Sequence, residues 1–323
     1  MNEPSPVRPA RPARSEASVG VLQAIVAYGM WGLMPLLFAA MAPAGAFEIV
    51  AWRVVFGLVF CAVAIAVTRS WRRTRSLVAQ RRVMLVMGLA AVLILVNWTV
   101  YVVATTTGHT VEAALGYFIN PLVTIALGVV VMRERLRPAQ WTAVGISVVA
   151  VVVIAVGYGR MPWIALALAF SFGFYGLVKK RVGGRVDALS GLTIETAWLL
   201  PVAVVALVVL GATGVGGGVT FTSAGWAHVV VTVLTGPATA VPLLFFASSA
   251  RRVSLSTLGL TQYLAPVVQL LVGVVVQHEA MPPERWVGFG IVWVALVVLT
   301  GDSFAAARAA RRRTPAPVAA EPV

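Results

Sequence analysis

Long apolar runs separated by short polar breaks dominate this chain, and their lengths predict helices that cross a membrane. About 20 apolar residues are needed to span the hydrocarbon layer as a helix. Ten such runs fall at 19–40, 47–68, 83–104, 112–132, 139–157, 162–178, 188–210, 225–247, 255–276 and 285–301. They are continuously apolar and do not alternate with period two, which selects helices over the strands of a barrel. The expected fold class is an all-α polytopic membrane protein with ten transmembrane helices. The polar ends, 1–18 and 303–323, read as disordered arms. No apolar core precedes Val19, so the first arm does not resemble a cleavable signal peptide.

The pattern also repeats. Shifting the stretch EAALGYFINPLVTIALGVVVMRERLRPAQW, which begins at Glu112, by 145 positions places Pro121 on Pro266, Gly128 on Gly273 and Glu134 on Glu279. Pro138, Trp141 and Gly145 then fall on Pro283, Trp286 and Gly290. Shared valine richness does not produce a register of Pro, Gly, Glu and Trp, so the chain reads as two related halves, 19–158 and 159–302. A weaker match joins Gly29, Trp31 and Gly32 to Gly173, Tyr175 and Gly176. Five spans per half is an odd number, which inverts the second half relative to the first.

Composition and charge agree with a bilayer protein. The chain is 60% hydrophobic and 11% charged over 323 residues, more apolar material than a soluble core of this size can hide. The net charge of +14 does not converge on one face, as nucleic-acid binding requires. With the N-terminus in the cytosol, only Arg160 and Arg285 of the 25 Lys and Arg face outward, and Arg53 stays in the membrane. That asymmetry is the positive-inside pattern, and it puts both termini in the cytosol. Arg133, Arg135 and Arg137 of the first half become His278, Ala280 and Pro282 in the copy, as inversion demands. Cys61 is the lone cysteine, so no intrachain disulfide or cysteine metal cluster is available.

Polar residues inside apolar spans are the candidates for chemistry. Pro121 and Pro266 each remove a backbone donor and crowd the carbonyl of Tyr117 or Gln262, so each helix is expected to kink there. Paired breaks near the midplane of an inverted repeat point to a transport site. Their neighbours Tyr117, Asn120, Gln262 and Tyr263 offer rings and hydrogen bonds. Asn97, Trp98 and Tyr101 share one face of the third span and suit an aromatic cavity wall. Bridging between helices is the alternative for Asn97. Arg53, in the second span, suits an anionic substrate group, and its repeat counterpart Glu195 suits a proton or a cation, helix glue being the alternative for each. Arg53 is expected nearer the outer face and Glu195 nearer the cytosol, which disfavours a direct pair. Glu112 is expected to cap its own helix, with gating as the alternative. Glu134, Glu279, Trp141 and Trp286 read as fold determinants at turns. His109 and His228 lack partners at metal-ligand spacing, and no phosphate loop or catalytic constellation is present, so neither a cofactor nor an enzyme activity is expected.

Four motifs in chain order, Asn97-Trp98, 112–121 (EAALGYFINP), FYGLVKK within 173–180, and LSTLG at 255–259 followed by Gln262-Tyr263, resemble RarD-type permeases. That group belongs to the drug/metabolite transporter superfamily and carries two EamA-type five-helix repeats. The resemblance covers about 19–301 and implies a ten-helix carrier of the bacterial inner membrane with a cavity between its halves. The family name is associated with chloramphenicol sensitivity, which identifies no substrate. Two positions depart from the pattern: Trp52 stands where family members usually have His before the second-span arginine, and Thr106 where they usually have Asn. The expected function is a permease moving a small organic metabolite or drug by alternating access, driven by a gradient, with protons through Glu195 or Glu112 as a coupling ion. A membrane sensor or assembly partner without transport is the alternative, and a passive channel is separated from a carrier only by counter-flow.

Overall fold

The computed structural model describes residues 13–133, 138–157, 161–182, 185–250, 252 and 261–313. Among them the chain is helical and without strands. The helices are α1 (Ala13–Gly32), α2 (Met34–Ala39), α3 (Ala46–Thr68), α4 (Trp71–Val78), α5 (Arg81–Thr106), α6 (Thr110–Met132) and α7 (Pro138–Gly157). They continue with α8 (Trp163–Val182), α9 (Ala188–Thr213), α10 (Trp226–Ala250), α11 (Leu264–Leu271) and α12 (Pro283–Arg313). A π-helical turn, Val272–Val276, extends α11.

Among the described residues, six stretches are long and apolar enough to cross a membrane: Ser18–Ala39, Ala46–Thr68, Arg81–Thr106, Thr110–Val131, Ala188–Thr213 and Trp226–Phe246. Trp141–Ala150, Trp163–Lys179 and Leu264–Val276 are shorter apolar helices. Large apolar side chains point outward in rows, such as Val59, Val63 and Val67 at four-residue spacing on α3. A surface like this is matched to lipid, because water would penalise apolar patches of that extent.

Two clusters of buried side chains divide most of the interior. Ala51, Val54, Ile94, Leu192 and Leu199 join α3, α5 and α9, while Val111, Leu115, Phe118, Leu270 and Phe289 join α6, α11 and α12. Around these, α3 packs against α5, α9 and α10; α8 against α5 and α6; α1 against α10 and α11; and α7 against α12. Close approach depends on missing Cβ atoms. One added to Gly32 would lie 2.6 Å from the Val268 Cβ, and one on Gly173 would lie 2.9 Å from a Val123 methyl. Three non-glycine residues among those described take positive φ: Arg69, Arg133 and His278. Arg133 and His278 end α6 and the π turn, at 55° and 53°.

The structure departs from the expected boundaries in three places. Helix α1 begins at Ala13 and α12 runs to Arg313, so parts of both arms expected to be disordered are helical; their Ala and Arg residues are strong helix formers. The first span is broken, because α2 restarts at Met34 with Pro35 in its first turn. The two prolines also behave differently. Helix α6 continues through Pro121, whereas the ninth span turns at Gln262 and Tyr263 and restarts as α11. Pro266 therefore sits in a first helical turn, where its missing N–H has no partner to lose. Glu134, Arg135, Arg137, Arg160 and the 255–259 motif lie outside the described residues.

Candidate functional site

Helix α3 carries Arg53 into the middle of the bundle, where it is 5% exposed. Its guanidinium lies 4.2 Å from the centre of the Trp98 ring and 5.7 Å from that of Phe38, and its Nε donates to Thr239 Oγ1 at 2.9 Å. Thr239 belongs to α10, so this bond joins the two halves of the sequence. No carboxylate pairs with Arg53 among the described residues, and its Nη1 is buried without a hydrogen-bond partner. A charge held this way in an apolar bundle draws its stabilisation from the Thr239 bond and from ring faces, each face worth about 2 kcal/mol or more when dry.

Aromatic side chains continue outward from the guanidinium. Tyr101 packs edge-on against Phe38 and Tyr117, with ring centres 6.0 and 5.5 Å apart, and Tyr117 meets Phe172 of α8 at 6.2 Å. Through Phe38, which lies against the Arg53 guanidinium and the Tyr101 ring, this series joins the arginine. Tyr117 donates to Asn97 Oδ1 at 3.0 Å, and Asn97 Nδ2 donates to Ser171 Oγ and the Leu168 carbonyl at 3.0 and 3.2 Å. Asn97 is thereby saturated, whereas the buried Tyr101 hydroxyl has no partner. Arg53, Asn97, Trp98, Tyr101 and Tyr117 thus form one cluster.

The other residues singled out in the sequence lie elsewhere. Asn120 Nδ2 donates to the Ala169 carbonyl at 3.0 Å, fastening α6 to α8. Tyr263 packs beside the Val111, Phe118 and Phe289 cluster, next to Gln262 in the turn before α11. Glu195 is 2% exposed and accepts from Lys179 Nζ at 2.6 Å and from the Tyr175 hydroxyl at 3.1 Å. Arg53 and Glu195 therefore have separate surroundings. Glu112, in the first turn of α6, accepts from the Ile164 N–H at 3.1 Å and so also serves the start of α8. The start of α6 is capped as well by Glu279, which accepts from the N–H groups of Thr110 and Val111. A carboxylate between the ends of two helices goes to whichever N–H groups the packing presents, and sequence distance does not report that.

Two contact groups tie the starts of α3 and α9 to segments distant in sequence, the loop before α10 and helix α4. At the start of α3, buried Glu48 accepts from the Thr220 N–H at 2.7 Å, the Thr220 hydroxyl at 2.9 Å and Trp52 Nε1 at 3.2 Å. Trp52 and Phe56 pack on Phe221, and His228 Nε2 lies 3.2 Å from Thr220 Oγ1. Trp52 therefore belongs to this contact, while Thr106 bonds back to the Val102 carbonyl. At the start of α9, Ser190 Oγ meets Thr74 Oγ1 at 3.0 Å, and Asp187 pairs with Arg73 at 2.9 Å. Burial raises the Asp187 carboxyl, but hydrogen bonds from Ser190 and the Arg73 charge outweigh it and hold it below the usual carboxylate range.

Phe38, Glu48, Ser171, Phe172, Thr220 and Thr239 were not legible as site residues. Each is an ordinary residue type for its segment, and only packing brings it to the cluster or the contact. Lys179 read as a cytosolic topology charge, although its spacing of four from Tyr175 places both on one face of α8.

Residues 18–156 match the EamA-like transporter family. The chain is 50% identical to the protein RarD of Streptomyces exfoliatus, over 93% of each chain. It belongs to the EamA family, as a RarD-type permease. A protein of Vibrio cholerae called an uncharacterized transporter is 39% identical to this RarD-type chain, over 92% of it and 97% of the relative. A crystal structure of a protein 19% identical superposes with a TM-score of 0.56, covering 89% of this chain and 96% of that one, a likeness of fold alone. Membership in this family, together with the apolar helices, makes the chain a bacterial multi-pass membrane transporter.

Proposed function

We propose that this permease is a secondary transporter of a small organic molecule in the bacterial cytoplasmic membrane, with ten spans in two inverted five-helix halves. Both termini lie in the cytosol, and the halves rock against each other around the Arg53 cluster. The observation that carries the reading is the Arg53–Thr239 bond, which joins an incompletely satisfied buried charge on α3 to α10 and so supports a site between the proposed halves. Intramembrane charges of this kind mark substrate and ion pathways.

Support for the halves comes from exchanging α1 with α8, α3 with α9, α5 with α10, α6 with α11 and α7 with α12. The exchange turns the α6–α8 contact into α1–α11, α5–α8 into α1–α10, and α3–α10 into α5–α9. The α3–α9, α6–α11 and α7–α12 contacts map onto themselves. Arg133 and His278, 145 apart, share a backbone conformation rare outside glycine. Val123 and Val268, also 145 apart, each face a glycine in the first helix of the other half.

A gradient drives the cycle, and protons are the coupling ion. Glu195 is the group that takes them up, with Lys179 and Tyr175 as the partners exchanged on protonation. Counter-flow tests the carrier. With unlabelled substrate inside sealed vesicles of purified protein, labelled substrate added outside accumulates transiently. Simple equilibration without that overshoot would exclude a carrier and favour a channel.

A further inference from the structure

We infer that the substrate carries one carboxylate on a flat apolar body, and that Arg53 Nη1 and the Tyr101 hydroxyl hold that carboxylate. The inference rests on the transport reading and names the substrate class of the same site. Two buried donors in one cluster lack partners: Nη1 of a residue 5% exposed and the hydroxyl of one 4% exposed. Burying unpaired donors is unfavourable, so the cluster is complete only when an acceptor enters it.

Charge fixes the acceptor's class. Arg53 is the one formal charge in the cluster, since Phe38, Asn97, Trp98, Tyr101, Tyr117 and Thr239 are neutral, so a bound monoanion balances it. A phosphate monoester brings up to two negative charges near neutral pH and leaves one uncompensated in an apolar surrounding. The guanidinium is also partly committed. Thr239 occupies Nε and Trp98 lies at one face, which leaves the Nη edge for the ligand. A carboxylate oxygen suits that edge, and charge-assisted bonds to it are stronger than neutral ones. The remaining wall, Trp98, Phe38, Tyr101 and Tyr117, offers ring faces and edges to a planar body.

Matched acids and amides test the class with the full-length protein. Thermal stabilisation is measured with benzoate and indole-3-acetate, with benzamide and indole-3-acetamide as neutral counterparts, and with phenyl phosphate. At pH 7.5 the expected result is stabilisation by at least one acid and by neither amide nor phenyl phosphate. Tyr101→Phe removes only the unpartnered hydroxyl and weakens the effective acid about tenfold, while Arg53→Gln abolishes its effect. If Arg53→Gln fails to fold, Tyr101→Phe carries the test alone. Amides as effective as acids, stabilisation by phenyl phosphate with or without the acids, no response to either acid, or unchanged acid affinity in Tyr101→Phe would each overturn the inference. Counter-flow of the same compounds separates the two readings. Acid binding without counter-flow removes transport and leaves the anion site, whereas counter-flow of the amides alone removes the anion site and leaves transport.

Discussion

At the scale of single residues, Asn97 illustrates how one polar side chain organises an apolar bundle. Its amide spends both ends on neighbouring helices, accepting from Tyr117 on α6 and donating to Ser171 and Leu168 on α8. Hydrogen bonds between membrane helices contribute about 0.6 kcal/mol on average and up to about 1.7 kcal/mol. Because this one is buried and saturated, the upper part of that range applies. Asn97→Ala and Tyr117→Phe should each destabilise the protein, and the double variant should lose less than the sum. A reversible unfolding cycle in mixed micelles is expected to give a coupling of about 1 kcal/mol; strict additivity would mean the bond contributes nothing. Asn97 was legible because Asn is rare in such a run. Its split between wall and bridge was not, since the identity of its partners depends on how α8 packs. Arg53 was legible for the same reason, but Thr239 on α10 was hidden among many threonines.

Elements end where side chains from distant segments satisfy their free N–H groups. Glu279 reaches α6 across 169 positions of sequence, and the equivalence of Glu134 and Glu279 identified it as a fold determinant without naming what it caps. Replacing it by Ala should lower stability by about 1 kcal/mol, as for other lost caps, measured by thermal melting against wild type. Asp187 caps its own helix through Ser190 and faces Arg73 as well. Its folded carboxyl is held below its unfolded value of about 3.9. The stabilisation is therefore complete above the unfolded value and is lost as pH falls through the lower folded one. Asp187→Asn should be less stable than wild type at pH 7, and the two melting curves should converge on acidification below about pH 4. Arg73 is largely exposed, so added salt should shrink the difference at pH 7. Helix positions themselves were legible from apolar length, because backbone groups in lipid have to bond within a helix. The break before Pro35 and the length of α12 were not, since both depend on residues that sit equally well on either side of a boundary.

For the whole molecule, the repeat in sequence prepared the pairing of helices, but not the contacts that hold the two ends. Those contacts follow the same exchange. The start of α3 meets the loop before α10 through Glu48 and Thr220, and the start of α9 meets α4, before α5, through Ser190 and Thr74. If the halves are inverted as proposed, these pairs lie at opposite membrane faces, and a rocking carrier has to release each in turn. Cross-links at the two places turn that requirement into a measurement. Thr74 and Ser190 carry their oxygens directly on Cβ, 3.0 Å apart, which brings the side chains near enough for a disulfide after small adjustment, whereas Glu48 reaches Thr220 Oγ1 at 2.9 Å through two further carbons, so cysteines there are joined by a short bis-methanethiosulfonate linker. In a Cys61→Ala background, Glu48→Cys with Thr220→Cys should lock the outer end, and Thr74→Cys with Ser190→Cys the inner. Oxidation of the Thr74/Ser190 pair and linking of the Glu48/Thr220 pair are each expected to abolish counter-flow, and reductant to restore it, with the single-cysteine variants unaffected by these treatments. One lock that blocks and one that does not would assign the moving contact to a single face. Full counter-flow with both ends verified as cross-linked would mean that neither contact opens during transport, and the rocking reading would have to be abandoned.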